Sequence, residues 1–458
     1  MGLALAVGLS LRLWMLKHFF EVNGDSLLYG AIAKNLLLHG RYAMTGGGGE
    51  LVPTLIRLPG YPLFLGVCFR LFGIGNYLSA AYVQIAVELA GCLLLADFAG
   101  RMVPAGGGNA VGQATLWLAA LCPFTAVYTA EPLTETLTLF FITLTLGALA
   151  RFRKQPGWPS ALWFTFAVCY AALLRPDGAL VAVALAPALV IGLKSEGRVV
   201  PVKKLARMAL VCVLLALLPF AAWAVRNWRS FHVFQPLAPR LANDPGEPTY
   251  PGWQRWMKTW CLDFTSTYDI YWNVPGGPFD INKLPSRAFD SAAQREETAA
   301  LATGYVDNGQ DLSPQLDAGF GRLASERIAA HPLRYYLWLP LGRVADMWLR
   351  PRVENLPIDL DWWAYGRHRA ETRFSWSYAG LNAIYLALAV VGLCWKPRLW
   401  PVLLGYVLLR SALLATIEAP ETRYTLECFP MIFVLGGVAL GAGWRRIAGH
   451  KKQNAIFF

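Results

Sequence analysis

Between Arg207 and Arg226 the chain reads MALVCVLLALLPFAAWAV, residues 208–225, with no charged side chain in the run. At about 1.5 Å per residue a helix over this stretch is about 27 Å long, close to the hydrocarbon thickness of a bilayer. Such a segment needs lipid around it. Charge is equally absent from Met102–Ala130, Gln155–Leu174 and Phe374–Trp395. Across all 458 residues 56% are hydrophobic and 15% charged, against roughly 45–50% and about 25% in an ordinary soluble domain. A soluble globular protein is thereby excluded. The net charge of +12 would suggest nucleic-acid binding in a soluble chain, but here the basic residues flank apolar segments, so the expected surroundings are the lipid bilayer and no nucleic acid.

Candidate spans fall near residues 1–18, 76–99, 110–130, 132–150, 158–174, 178–193, 206–227, 377–394, 398–416 and 424–443. This predicts an all-α polytopic membrane protein of about 10 transmembrane helices (range 9–13), several of them short. Every second loop is basic: Arg101; Arg151, Arg153 and Lys154; Lys194, Arg198, Lys203, Lys204 and Arg207; Lys396 and Arg398; Arg445, Arg446, Lys451 and Lys452, with Glu196 the one acid among them. By the positive-inside rule these loops and both termini are cytoplasmic. Met1–Leu16 lacks a basic leader and a cleavage site and reads as a retained span. Seven of the cysteines lie in or beside apolar segments and only Cys261 in a polar loop, so no disulfide framework is expected.

The opposite face then receives residues 18–75, the corner near Glu131, the turn Arg175–Gly178, segment 228–376 and Glu418–Tyr424. Gly60–Gly73 and Pro332–Leu349 read as helices lying at this interface, and the many tryptophans between Trp228 and Trp376 suit the same boundary. Segment 240–330, rich in Pro, Gly, Asp and Asn, reads as the least structured part. The expected organisation is an N-terminal membrane module, 1–227, with a catalytic first outer loop, 18–75; an outer loop region, 228–376; and C-terminal helices with a cytoplasmic tail, 377–458.

Polar depth separates transport from surface chemistry. Transporters place ionisable groups near the midplane, whereas the acid clearly inside a span here is Glu88, with Gln84 one turn earlier, a pair that reads as interhelical bonding. The other charges gather at helix ends on the outer face. Residues 23–42 read NGDSLLYGAIAKNLLLHGRY, an amphipathic helix with Asp25 at its N-cap and a glycine stop. Gly46–Gly49 forms a loop tip, and Arg57-Leu58-Pro59-Gly60-Tyr61-Pro62 follows. Asp25 is either a helix cap or a catalytic acid.

The run Gly24–Pro62, then Thr129-Ala130-Glu131-Pro132-Leu133-Thr134-Glu135, Leu174-Arg175-Pro176-Asp177-Gly178, Arg226-Asn227, Ala330-His331-Pro332-Leu333-Arg334-Tyr335 and Glu421-Thr422-Arg423-Tyr424 together resemble the GT-C superfamily glycosyltransferases, in the branch that holds protein O-mannosyltransferases and the lipid A aminoarabinose transferase. The resemblance runs in order over nearly the whole chain. It implies a GT-C-type bundle in which a sugar passes from a polyprenyl-phosphate donor to a glycolipid, glycan or protein acceptor at the outer, periplasmic face of a bacterial inner membrane, by direct displacement with inversion.

What the resemblance implies for Asp25 is the acidic residue near the reacting carbon. A carboxylate within reach takes the proton of an acceptor hydroxyl as it attacks. Many relatives carry a second acid beside the first, where Ser26 stands here. Arg57, Lys34, Arg41 and Arg175 are the candidates for the phosphate, Arg57 foremost, because arginine suits bidentate phosphate contact; headgroup snorkelling is the other reading. Glu135 matches the family's acid at the outer end of the fourth span better than Glu131 and is the second catalytic candidate, with Glu131 a candidate for substrate binding. Tyr61, Asp177, Glu421 and Arg423 are further candidates for substrate binding, and the last two can also simply pair. Six scattered histidines show no metal spacing, so no cofactor is required, although the resemblance allows a Mg²⁺ or Mn²⁺ ion on the outer acids. Protein O-mannosylation is the alternative within the superfamily. A lipid-linked-sugar flippase is the alternative outside it, and that activity predicts midplane charges or inverted repeats.

Overall fold

The computed structural model describes residues 1–104, 107–195, 200–361 and 368–454; Glu196 and Arg198, which entered the sidedness reading, lie outside them. Two compact units divide the chain, one of Met1–Glu247, Ile384–Val407 and Leu426–Phe458, the other of Pro248–Ala383 and Leu408–Thr425. The first holds α1 (Gly2–Phe19), α2 (Gly24–His39), β1 (Ala43–Thr45), β2 (Leu51–Pro53), α3 (Gly60–Phe72), α4 (Tyr77–Arg101), α5 (Gly108–Ala120), α6 (Pro123–Ala126), α7 (Glu135–Lys154), α8 (Trp158–Leu174), α9 (Leu180–Ser195) and α10 (Val202–Phe231). The second holds α11 (Pro251–Lys258), α12 (Phe264–Ser266), α13 (Ala292–Asp307), α14 (Pro314–Ala330) and α15 (Leu339–Leu349). Residues of α16 (Arg369–Cys394) and α17 (Trp400–Leu414) fall in both, and α18 (Phe429–Asn454) belongs to the first.

The protein is an all-α polytopic membrane protein, and each expected span coincides with a helix. Among the described residues five stretches are long and apolar enough to cross a membrane alone: α4, α7, α10, α16 and Thr422–Ala442. Two bent pairs raise the number to seven, α1 with α2 at 94° and α5 with Pro123–Thr129 at 52°. The shorter apolar helices are α3, α8, Pro176–Leu189 and α17. The second bend falls where Pro123 opens a new helix, since proline is tolerated in a first turn and not in an interior.

Within the first unit α4, α5, α7 and α18 pack closely through small residues. A Cβ on Gly437 would run into Thr115, and one on Gly441 would meet Val111, so glycine lets the backbones approach where lipid gives helices no hydrophobic drive to associate. Buried among these helices, Arg12 of α1 pairs with Glu88 of α4 and donates to the carbonyls of Gly8 at 2.8 Å and Ala120 at 2.7 Å. Thr125 donates to the other Glu88 oxygen at 3.1 Å. Glu88 is thus bundle glue, as its spacing from Gln84 suggested.

Three expectations need correction. The glycine tip closes a β-hairpin, Ala43 pairing with Pro53 and Thr45 with Leu51. Segment 240–330 is ordered, because its polar residues serve as caps: Ser291 accepts from Gln294 N at the start of α13 and Ser313 from Leu316 N at the start of α14. Its tryptophans are largely core. Trp253, Trp256 and Trp260 are buried with Phe279 and Phe320, in edge-to-face and tilted contacts 4.8–6.2 Å apart that suit aromatic quadrupoles. Trp228, Trp338 and Trp376 remain exposed.

Candidate functional site

The residues nominated from the sequence gather mainly in the first unit. Asp25 lies in the first turn of α2, while Asn23, with extended backbone, occupies the N-cap and makes no side-chain capping bond. The Asp25 carboxylate is therefore not the cap that the sequence suggested. It accepts from Arg57 Nη2 at 2.6 Å, with both side chains partly exposed.

Local geometry holds Arg57 there. The Arg57 carbonyl accepts from the Tyr42 hydroxyl at 3.0 Å. Three residues on, Gly60 begins α3 against the end of α8, where an added Cβ would stand 2.6 Å from the Leu173 carbonyl oxygen. The Gly60 carbonyl also accepts from Tyr170 at 3.0 Å. Only glycine permits that approach, and it brings the Arg57 segment beside the end of α8, whose next residues carry Arg175.

Arg175 is extended because the following proline ends the helix and disfavours helical backbone in the residue before it. Its guanidinium meets three acids: Glu135 at 3.2 Å, Asp177 at 3.5 Å and Glu427 at 3.1 Å. Glu135 opens α7, where the helix dipole also favours a carboxylate. Glu135 and Glu427 are buried and Arg175 is mostly so. Tyr406 donates to Glu427 at 3.4 Å.

Tyr61 is fully buried and spends its hydroxyl on Gln84 Oε1 at 2.5 Å, while Gln84 Nε2 donates to the Glu131 carbonyl at 2.8 Å. This chain joins α3, α4 and the segment ahead of α7. Lys34 stands nine residues beyond Asp25, about 13 Å along α2 and on its other side, with its ammonium 5.4 Å from the centre of the Tyr77 ring. Arg41 is exposed, and its side chain makes no hydrogen bond or ion pair with a described residue. Neither is brought to the Asp25–Arg57 pair. Glu421 and Arg423 belong to the second unit and pair with each other at 2.5 Å.

Three participants escaped the sequence reading. Glu427 had a signal, as the last charge before the apolar run from Phe429. Arg12 had one too, as a cation inside a span. Arg226 stood in a quoted motif without a role; it donates to the carbonyls of Thr54 and Tyr42 and lies 5.1–5.5 Å from the rings of Trp223, Tyr42 and Phe231.

Among the described residues no group of three or more His, Cys, Asp or Glu stands as a metal-ligand set. The acids that do converge, Glu135, Asp177 and Glu427, converge on the Arg175 guanidinium, and Asp25 on that of Arg57. Each of these acids thus faces a guanidinium.

Aligned with solved structures, 99% of the chain matches the archaeal oligosaccharyltransferase AglB of Archaeoglobus fulgidus, in complex with an inhibitory peptide and a dolichol-phosphate, at a TM-score of 0.51 and 11% identity. The chain has the GT-C fold. It spans 51% of that AglB chain, about half its length. ArnT of Cupriavidus metallidurans, in the apo state and bound to undecaprenyl phosphate, aligns over 96% of this chain and 76% of its own, at 14% identity and TM-scores of 0.38 and 0.39. At those scores the two structures add no argument. No protein-family model and no curated protein matches the chain by sequence. The likeness to AglB gives the fold and leaves the chemistry to the side chains.

Proposed function

We propose that the protein is a membrane glycosyltransferase that moves one sugar from a polyprenyl-phosphate donor to an acceptor hydroxyl at the outer face of the membrane, with inversion. The observation that carries this reading is the Asp25–Arg57 pair, held by the same close approach of α3 to α8 that precedes Arg175. The dolichol-phosphate of the AglB complex is a ligand of the class proposed here.

In the scheme the acceptor oxygen forms a bond to the anomeric carbon as its proton passes to the Asp25 carboxylate. The bond from that carbon to the phosphate oxygen breaks on the opposite side, and its electron pair stays with the phosphate. Arg57 and Arg175 supply fixed positive charge where that negative charge grows. Glu135 and Glu427 hold Arg175 in place. The scheme routes no step through a metal ion.

Asp25→Asn tests the reading. The substitution keeps size and hydrogen-bonding capacity and removes the proton acceptor. Transfer from purified polyprenyl-phosphate sugars to acceptors in a membrane extract is expected to fall about 10²–10⁴-fold, with an unchanged melting temperature in detergent. Transfer by Asp25→Asn at the unmodified rate would place the base elsewhere. Comparing the glycolipids and glycoproteins of a deletion strain by mass spectrometry would then name the acceptor.

A further inference from the structure

Tyr29 lies one helical turn beyond Asp25 on the same face of α2. It is 7% exposed. Its ring is fixed on two sides, by Tyr61 edge-on at 5.0 Å between centroids and by the Arg57 guanidinium 5.9 Å from the ring centre. Its hydroxyl makes no hydrogen bond with any described residue and is not one of the fully enclosed polar atoms left without a partner, so it stays open to a bound ligand. Arg57, assigned above to the phosphate, lies against its ring.

An ordinary tyrosine is neutral at pH 7, so the Tyr29 hydroxyl is a donor and no base. A neutral donor without an acceptor in the protein, its ring fixed by Tyr61 and by the Arg57 guanidinium, matches an anionic oxygen supplied from outside the protein.

We propose that the Tyr29 hydroxyl donates a hydrogen bond to the phosphate of the lipid donor, at the oxygen that gains charge as the sugar leaves. The inference rests on the transferase reading above and adds a group to it. No bond to Tyr29 forms or breaks. The hydrogen bond strengthens as the electron pair of the broken C–O bond settles on the phosphate, so it favours the transition state over the bound donor.

The test is Tyr29→Phe in the full chain in detergent, since phenylalanine keeps the ring, its contact with Tyr61 and its place under Arg57. Turnover with purified polyprenyl-phosphate sugar is expected to fall about 10²-fold, and inhibition by free polyprenyl phosphate to weaken roughly tenfold or more. The KM for the acceptor and the melting temperature are expected to hold. Unchanged turnover in Tyr29→Phe beside an active wild type overturns the inference and leaves the transferase reading intact. A loss confined to the acceptor KM, with product inhibition unchanged, overturns the phosphate assignment. A wild type that neither transfers sugar nor binds polyprenyl phosphate overturns the transferase reading and this inference with it.

Discussion

Arg57 Nη2 stands 2.6 Å from Asp25 Oδ1 across 32 residues of sequence, joining the loop ahead of α3 to the first turn of α2. The guanidinium has two jobs in the proposed scheme, orienting the carboxylate and facing the phosphate. Lysine can keep one charge–charge contact but not a planar fork. Arg57→Lys is thus expected to retain part of the transfer rate, and Arg57→Ala to lose on the order of 10²-fold or more. Parallel assays of polyprenyl-phosphate release by both variants check this, and full activity of the alanine variant would return Arg57 to a headgroup anchor.

The Arg12–Glu88 pair is buried on both sides, with side chains 0% and 7% exposed. Removing one partner leaves an uncompensated charge, which costs about 3–5 kcal/mol, whereas replacing both by neutral groups of similar size is often nearly neutral. Arg12→Met is expected to lower the melting temperature in detergent sharply, and Arg12→Met with Glu88→Gln to restore most of it. If the double variant melts no higher than the single one, the bonds from Arg12 to the Gly8 and Ala120 carbonyls carry the stability and the ion pair does not.

Arg226 donates to the carbonyls of Tyr42 and Thr54, on either side of the β-hairpin, and Tyr42 in turn donates to the Arg57 carbonyl. Losing the fork frees both ends of that hairpin. Arg226→Ala is expected to speed proteolytic cleavage between residues 43 and 57 and to reduce transfer, and Arg226→Lys to fall between alanine and wild type. A hairpin that resists protease in Arg226→Ala as it does in the wild type would show that Asp244, which accepts from Leu55 N at 2.7 Å, holds the loop without Arg226.

The apolar helices were legible because a charge-free run is a local property, readable without knowing any contact; of the ten expected spans, five to seven pass as membrane-crossing by length among the described residues. Asp25, Arg57, Glu135 and Arg175 were legible as candidates through the motifs that carry the family resemblance and through their place at outer helix ends. Their pairing was not. Asp25–Arg57 and Glu135–Arg175 join segments 32 and 40 residues apart, and whether Asp25 caps α2 or meets Arg57 depends on the backbone of Asn23 and on the approach of Gly60 to Leu173, neither of which has a local signature. Composition misled in segment 240–330, where Pro, Gly, Ser and Asp at helix starts look the same as in a loop. The tryptophans there misled for a related reason, since an interfacial belt and an aromatic core draw on one residue type.

The scheme needs the Asp25–Arg57 site to open away from the cytoplasm, and the alternation of basic loops is what argues for it. Gly47 in the hairpin turn and Glu247 near the end of the first unit's long opening segment are exposed, as are Gln155 after α7 and Lys203 at the start of α10. Single cysteines at these four positions report sidedness once the exposed Cys394 is replaced by serine; the other native cysteines are buried or half-buried and supply little background. In intact spheroplasts an impermeant thiol reagent is expected to label positions 47 and 247, and to label 155 and 203 only after the membrane is broken. The two groups are separated by charge as well as by sequence, since Gln155 follows Arg151, Arg153 and Lys154, and Lys203 precedes Lys204 and Arg207. Those clusters resist translocation, whereas the turn around Gly47 carries only Glu50 nearby. Labelling of position 155 or 203 from outside would invert the topology and place Asp25 on the cytoplasmic side. A polyprenyl-phosphate donor presented at the outer face would then be out of reach, and the proposed transfer would fail on geometry before any question of rate.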